Sequence, residues 1–193
     1  MDFTVPQLIL RLYLLAGLIA HKAVWEVLKR SSAHGAFARS SSSKRLLKAV
    51  KIAALAAIIA QTLLPEILPI AENAYWIRSA GLLFFTAGLA MAVSARIQLG
   101  ANWSDIEDGR VVARHTIVTG GIYKYIRHPI YTGDILLLFG IELALNSWLI
   151  LGVPGVILFV VHRVTKEEDS LSQQFPGYRN YLQSSKRFVP FVY

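Results

Sequence analysis

Residues 46–99 read LLKAVKIAALAAIIAQTLLPEILPIAENAYWIRSAGLLFFTAGLAMAVSARIQL, and this stretch decides the architecture. Its two apolar runs, Leu46 to Leu64 and Trp76 to Leu99, match the roughly 20 residues that a helix needs to cross a bilayer. Pro65-Glu66-Ile67-Leu68-Pro69 divides them, because a proline inside a helix removes an amide donor and clashes with the preceding turn. The connector holds Glu66 and Glu72 but no Lys or Arg, whereas the segment before Leu46 is basic. Since basic loops stay cytosolic, the connector is predicted to be external and the far ends of both helices cytosolic.

Toward the N-terminus, Val5 to about Leu28 reads as a first span. Met1-Asp2-Phe3-Thr4 lacks the basic start of a cleaved signal peptide and no clear small-residue cleavage site follows, so the span is expected to be retained, with the N-terminus outside. Arg11, His21, Lys22 and Glu26 interrupt it, the last three near its end. Arg11 either snorkels to the interface or faces another helix, and snorkelling is the preferred reading. Lys29, Arg30, Arg39, Lys44, Arg45, Lys48 and Lys51 surround the serine run Ser40–Ser43, which reads as a flexible cytosolic loop. Of 193 residues, 54% are hydrophobic and 17% charged, against roughly 25% charged in a soluble domain. The net charge of +8 therefore marks a membrane face rather than a nucleic-acid partner. The absence of cysteine excludes disulfides, thiolate nucleophiles and Cys-based metal sites.

Toward the C-terminus, Gly100 to Pro129 is polar and glycine-punctuated, a cytosolic loop long enough to be functional. Tyr131 to Leu145 and Trp148 to Val161 follow, separated by Asn146-Ser147, each about 15 residues or roughly 22 Å of helix. They are predicted to form a tight helical hairpin. Asp134, Glu142 and the Gly152-Val153-Pro154-Gly155 break suggest that it lines a protein interior. Arg163 to Tyr193 is a charged and aromatic tail. The expected fold is an all-α integral membrane protein of about five transmembrane helices. Residues 1–99 form three N-terminal helices with a basic cytosolic loop, and residues 100–193 form a catalytic region with its hairpin and cytosolic tail.

Three clusters carry chemistry. In Arg127-His128-Pro129-Ile130-Tyr131-Thr132-Gly133, Pro129 biases His128 away from helical geometry and opens the next helix, whose free amides favour anionic groups. The same residues also read as interfacial anchors. In Arg163-Val164-Thr165-Lys166-Glu167-Glu168-Asp169-Ser170-Leu171, Arg163 and Glu167 share a helix face, either as a functional pair or as an ordinary i,i+4 ion pair. His115-Thr116-Ile117-Val118-Thr119-Gly120-Gly121-Ile122-Tyr123 reads as a short extended segment and a glycine turn that admits a ligand close to the backbone. His115, His128 and His162 match no zinc spacing, so no metal is expected, and there is neither a Gly-x-Ser-x-Gly elbow nor a phosphate-binding glycine pattern.

Together the clusters resemble the isoprenylcysteine carboxyl methyltransferases, within a wider group that includes membrane phospholipid methyltransferases. The resemblance runs from His115 to about Pro190 and is carried by Gly121-Ile122-Tyr123, Arg127 to Gly133, and Arg163 with Glu167-Glu168 and Leu171. It implies a cytosolic site for S-adenosylmethionine, leaving S-adenosylhomocysteine as product. That site would be built from the loop before the fourth helix and the C-terminal tail, using His115, Thr116, Ile117, Val118, Tyr123, His128, Pro129, Ile130, Tyr131 and Glu167. Arg163 matches the position used at the acceptor carboxylate, so Arg163 and Glu167 are the expected catalytic residues. The family's Phe-Gly-x-x-Tyr is replaced by a shifted Phe175-Pro176-Gly177-Tyr178, leaving the roles of Tyr178 and Tyr181 open.

The resemblance thus implies methyl transfer to the carboxylate of a lipid-modified, isoprenylcysteine-like acceptor entering from the bilayer; a prokaryotic plasma membrane is the expected location. A carboxylate needs no general base at neutral pH. The alternative of a phospholipid N-methyltransferase would need one, and Arg163 would repel its ammonium acceptor. More distant alternatives are an NADPH-dependent sterol-type reductase and a non-enzymatic transporter or scaffold.

Overall fold

The computed structural model describes residues 4–32, 42–102 and 116–190. Among these it contains the α-helices α1 (Val5–Ser32), α2 (Ser42–Leu63), α3 (Tyr75–Leu99), α4 (Pro129–Ala144), α5 (Val153–Gln174) and α6 (Tyr178–Ser184). Short 3-10 turns cover Gly100–Asn102, Gly121–Lys124 and Trp148–Gly152. Two isolated bridges, Pro69 with Ser147 and Ile126 with Lys186, are the extended pairings among the described residues.

The predicted spans fall on α1, α2 and α3. Four helical segments are long and apolar enough to cross a membrane: Val5–Leu28, Arg45–Leu63, Tyr75–Leu99 and Trp148–Gln174. The chain is an integral, multi-pass membrane protein. α4, on the expected fourth span, has 16 residues, close to the roughly 15 that the sequence allots it, and is not among these four. The Gly152-Val153-Pro154-Gly155 break marks the start of α5: a 3-10 turn gives way to the helix there, with Pro154 in its first turn. α5 then continues well past Val161 as a 22-residue helix.

α4 has its most extensive packing on α3, with less contact to α5, its expected hairpin partner. The sequence explains the α3–α4 intimacy. Gly81, Phe85, Gly88 and Ala92 form a buried stripe on α3, opposite Gly133, Leu137, Gly140 and Ala144 on α4. A Cβ added to Gly140 would lie 2.2 Å from the Phe85 amide nitrogen, and one added to Gly88 would lie 2.4 Å from that of Leu137. The two antiparallel backbones touch wherever a glycine stands, as close helix pairs in membranes require. Leu14 and Leu18 of α1 close the core over Phe85, Leu137, Ile141 and Ala144.

Arg11 does not snorkel. It is buried, and its Nη1 donates to the carbonyls of Thr62 and Leu64, both at 2.6 Å, and of Gln61 at 3.3 Å. The last carbonyls of a helix lack amide partners, and in an apolar setting a cation from the neighbouring helix satisfies them. The same end holds a second polar plug. Glu66 pairs with Arg78 and accepts from Asn146 Nδ2 at 3.0 Å, while Gln61 donates to Glu142 at 2.9 Å. Burial opposes ionisation of the connector residue Glu66, but the Asn146 hydrogen bond and the Arg78 guanidinium outweigh it and hold its carboxyl below the usual range. The α1–α4 polar network is thus anchored at the predicted external face, leaving the opposite end for the remaining polar clusters.

Candidate active site

His128 and Pro129 open α4 as their sequence predicts, with Pro129 in the first turn and His128 at φ −124°. The amides of Arg127 and His128 are not left for a ligand. They donate to the carbonyls of Lys186 (2.8 Å) and Arg187 (3.2 Å), so the segment after α6 lies along the start of α4 as a strap. Thr132 Oγ1 adds a contact to the Phe188 carbonyl at 3.2 Å. Ile130 and Tyr131 carry first-turn amides that have no carbonyl acceptor within the helix.

Beneath the strap lies Glu168, 6% exposed at its side chain. Its Oε1 accepts from Arg127 Nε at 2.8 Å and faces His128 Nε2 at 3.1 Å, and its Oε2 accepts from Arg187 Nε at 3.0 Å. Two guanidinium groups thus neutralise and orient one buried carboxylate, the arrangement in which charge-assisted bonds are strongest. Arg127 also donates to the carbonyls of Leu182 at 3.2 Å and Ser185, tying α4, α5 and the C-terminal strap into one knot. Arg127 is therefore more than an interfacial anchor. His128 faces this knot, with Tyr131 and Phe188 flanking its ring at centroid distances of 5.9 and 6.0 Å.

Glu167, one residue earlier, points elsewhere. Its Oε2 accepts from the Tyr131 hydroxyl at 3.3 Å. Among the described residues no ion pair joins Arg163 to Glu167, so the ordinary i,i+4 bridge is not formed. Arg163 nevertheless lies within electrostatic reach of both Glu167 and Tyr131. The result is a half-buried carboxylate with one neutral donor, beside a guanidinium whose fork is uncommitted among the described residues. Such a site can take a cationic group on Glu167 and an anionic one on Arg163.

Tyr123 is buried, and its hydroxyl donates to the Ala95 carbonyl at 3.3 Å. Its own carbonyl accepts the Tyr181 hydroxyl at 2.5 Å. Tyr178 and Tyr181, whose roles the sequence left open, pack edge to face at 5.8 Å and brace the glycine turn against α6. Burial pushes the phenols of Tyr123 and Tyr178 well above the usual range and that of Tyr181 up to about 12, so all three stay neutral at physiological pH.

The segment before the turn has no regular structure over residues 116–119, and His115 lies outside the described residues. Thr116 is held by Asn102, whose Oδ1 accepts its amide at 2.9 Å and its hydroxyl at 3.2 Å. Ile117 and Val118 are half-buried. Gly121 adopts φ +59° directly over Gln98, whose Oε1 accepts the Ile122 amide at 2.9 Å. A Cβ at Gly121 would meet that oxygen at 2.1 Å, so glycine is required both for the conformation and for the contact. The structure thus gathers Tyr131, Glu167 and Arg163 into one group, with Tyr123 within electrostatic reach of Glu167. Thr116 is tethered separately, to Asn102 in the 3-10 turn that follows α3. Sequence reasoning missed the roles of Arg187, Asn102 and Gln98, whose residue types are common on polar surfaces and carry no spacing signal, and it placed Glu168 in a motif without assigning its side chain a role.

The chain is similar to known membrane methyltransferases. The profile of the phospholipid methyltransferase family matches residues 76–177, from the start of α3 to the start of α6. The chain is 30% identical to protein-S-isoprenylcysteine O-methyltransferase of Xenopus laevis over 148 residues, 73% of this chain and 50% of the relative. It is 28% identical to protein-S-isoprenylcysteine O-methyltransferase B of Arabidopsis thaliana, over 82% of each chain. The chain spans about half the length of the frog relative and of a similar one from Schizosaccharomyces pombe. Its fold is that of a solved eukaryotic intramembrane Ras methyltransferase, an isoprenylcysteine carboxyl methyltransferase, with a TM-score of 0.56 at 22% identity over 81% of this chain and 55% of the other. With a family profile covering more than half of its 193 residues, the chain belongs to the phospholipid methyltransferase family.

Proposed function

We propose that the chain moves a methyl group from S-adenosylmethionine to the carboxylate of a lipid-modified, isoprenylcysteine-like acceptor that arrives through the bilayer. The observation that carries this reading is the contrast between two neighbouring acids. Glu168 is saturated by Arg127, His128 and Arg187, whereas Glu167 has the Tyr131 hydroxyl and lies beside Arg163. The names of the frog, yeast and plant relatives support the acceptor class.

The residues fit the cofactor's chemistry. Glu167 retains acceptor capacity for an ammonium group, and the first-turn amides of Ile130 and Tyr131 suit a carboxylate. When bound, the cofactor supplies a methyl group on a positively charged sulfur. The protein's own part is alignment and electrostatics. Tyr131 fixes the Glu167 carboxylate from α4, and the glycine turn carries Tyr123 against the same wall. Arg163 binds and orients the acceptor carboxylate, which is already ionised and needs no proton removed. The knot around Glu168 holds the start of α4 and the strap in register. The cytosolic placement of this end, with the N-terminus outside, follows from the basic segment before α2 and the acidic connector after it.

The test is transfer of labelled methyl from S-adenosylmethionine to N-acetyl-S-farnesylcysteine in detergent or vesicles. Glu167→Gln is expected to lose the thermal stabilisation that S-adenosylhomocysteine confers, and Arg163→Ala to keep it while losing transfer. Label appearing in membrane aminophospholipid instead of the farnesylated acid overturns the acceptor assignment.

A further inference from the structure

Outside the group just described, one ionisable pair stands within the apolar part of the bundle. His21 on α1 and Asp134 on α4 meet at 2.9 Å between Nε2 and Oδ1. Their side chains are 23% and 42% exposed, so the bond bridges an open seam rather than a packed interface. Trp25 stacks on the imidazole at 4.0 Å and fixes its plane. Asp134 is three residues from Tyr131, on the neighbouring part of the same face and about 7 Å along the axis from Pro129. The Tyr131 hydroxyl lies within reach of the charges of Glu167, Arg163 and Asp134 together.

A carboxylate in this position is costly in hydrocarbon unless its oxygens are met by donors. His21 meets Oδ1, and among the described residues no donor meets Oδ2. We propose that Asp134, held by His21, binds an N–H donor of the methyl acceptor, next to the carboxylate that Arg163 orients. Resting on the carboxyl-methylation reading, this assigns a specificity-determining role to residues of α1 and α4. An acceptor of the S-alkylcysteine class carries an amide N–H one carbon from its carboxylate. Asp134 and Arg163 would then grip the acceptor at two points and set which oxygen approaches the methyl donor. Asp134 is a substrate-binding residue in this scheme, and His21 a positioning residue.

The experiment compares kcat/KM for N-acetyl-S-farnesylcysteine and for its N-methylated analogue, which lacks the donor. The wild-type protein is expected to prefer the N–H acceptor by about tenfold to a hundredfold, the worth of one hydrogen bond to a charged group. In Asp134→Leu, which has no acceptor for the N–H, that preference is expected to fall toward one, through a rise in KM for the N–H acceptor. His21→Ala should also weaken the preference, and His21→Gln, which can still donate to Oδ1, should restore it. A general loss of folding lowers both acceptors together and leaves the ratio intact. Each variant is first checked for stabilisation by S-adenosylhomocysteine. A wild-type ratio near one, or a ratio unchanged in Asp134→Leu, overturns the inference while leaving carboxyl methylation standing. Failure of the wild-type protein to methylate either acceptor refutes that reading and this inference with it.

Discussion

Replacing Glu168 by alanine removes the acceptor on which three donors converge. Arg127 Nε stands 2.8 Å from Oε1, His128 Nε2 3.1 Å from the same oxygen, and Arg187 Nε 3.0 Å from Oε2. The side chains of Glu168 and Arg127 are 6% and 10% exposed, so water cannot freely replace the lost carboxylate. Removing one partner of a buried ion pair costs about 3–5 kcal/mol, because the remaining charge is stranded. For a chain of this size each kcal/mol lowers Tm by about 2–4 °C, so Glu168→Ala is expected to melt about 6–20 °C below the wild-type protein. Tryptophan fluorescence of the detergent-purified protein during heating measures this directly. Arg187→Ala should cost less, since Arg127 still balances the carboxylate. Glu167→Gln keeps an oxygen for the Tyr131 hydroxyl and should shift Tm by no more than the worth of one hydrogen bond, about 1 kcal/mol. A Glu168→Ala protein melting as the wild type does, or a Glu167→Gln protein melting as far below it, would refute the division of labour between these two acids.

Three further perturbations probe the frame. Gly140→Val drives a side chain into the backbone of Phe85 and should destabilise the fold by about 1–3 kcal/mol in chemical denaturation, whereas Gly152→Ala, with open space around it, should be tolerated. Arg11→Leu leaves the carbonyls of Thr62 and Leu64 without their cation and should cost about 1.5–3 kcal/mol, with Arg11→Lys recovering part of it in the same assay. The folded carboxyl of Glu66 titrates below its unfolded value, so its contribution is complete above the ordinary carboxylate range, near pH ~4.3, and fades as pH falls through the folded value. Melting curves from pH 7 to 3 should therefore show an acid-side loss in the wild type that is smaller in Arg78→Met.

The apolar runs and proline breaks were legible because membrane crossing imposes a length and forbids charge, and three helices begin and end close to where those rules place them. Arg11 was misread for a physical reason. A single arginine within a span satisfies the same pattern whether it reaches the interface or caps a neighbouring helix, and the choice depends on where α2 ends in space. The start of α4 was legible from His128-Pro129, since that pair has a local conformational consequence. Arg187 was not, because its partner lies across a turn that only the packing of Tyr123, Tyr178 and Tyr181 brings into place. The α3–α4 pairing was hidden likewise. Gly81 and Gly88 look like ordinary membrane glycines until they are seen facing Ala144 and Leu137 across touching backbones.

The contrast between Glu167 and Glu168 follows from helical geometry. Consecutive residues are turned about 100° from each other, so two adjacent acids cannot serve one ligand equally. Each belongs to its own i,i+4 stripe. Val164, fully buried, stands four residues before Glu168, and that stripe is packed into the body of the protein. Arg163 stands four residues before Glu167 on a stripe that is half-buried at both positions. A packed stripe requires every charge to be matched, and Arg127 and Arg187 match the one that Glu168 brings. A half-open stripe allows a cation and an anion to stand side by side unpaired, each available to the opposite charge on an incoming molecule. The same two-residue acidic motif therefore supplies both the brace that holds the C-terminal strap over α4 and the open acid beside Arg163. Any loosening of the first is expected to misplace the second.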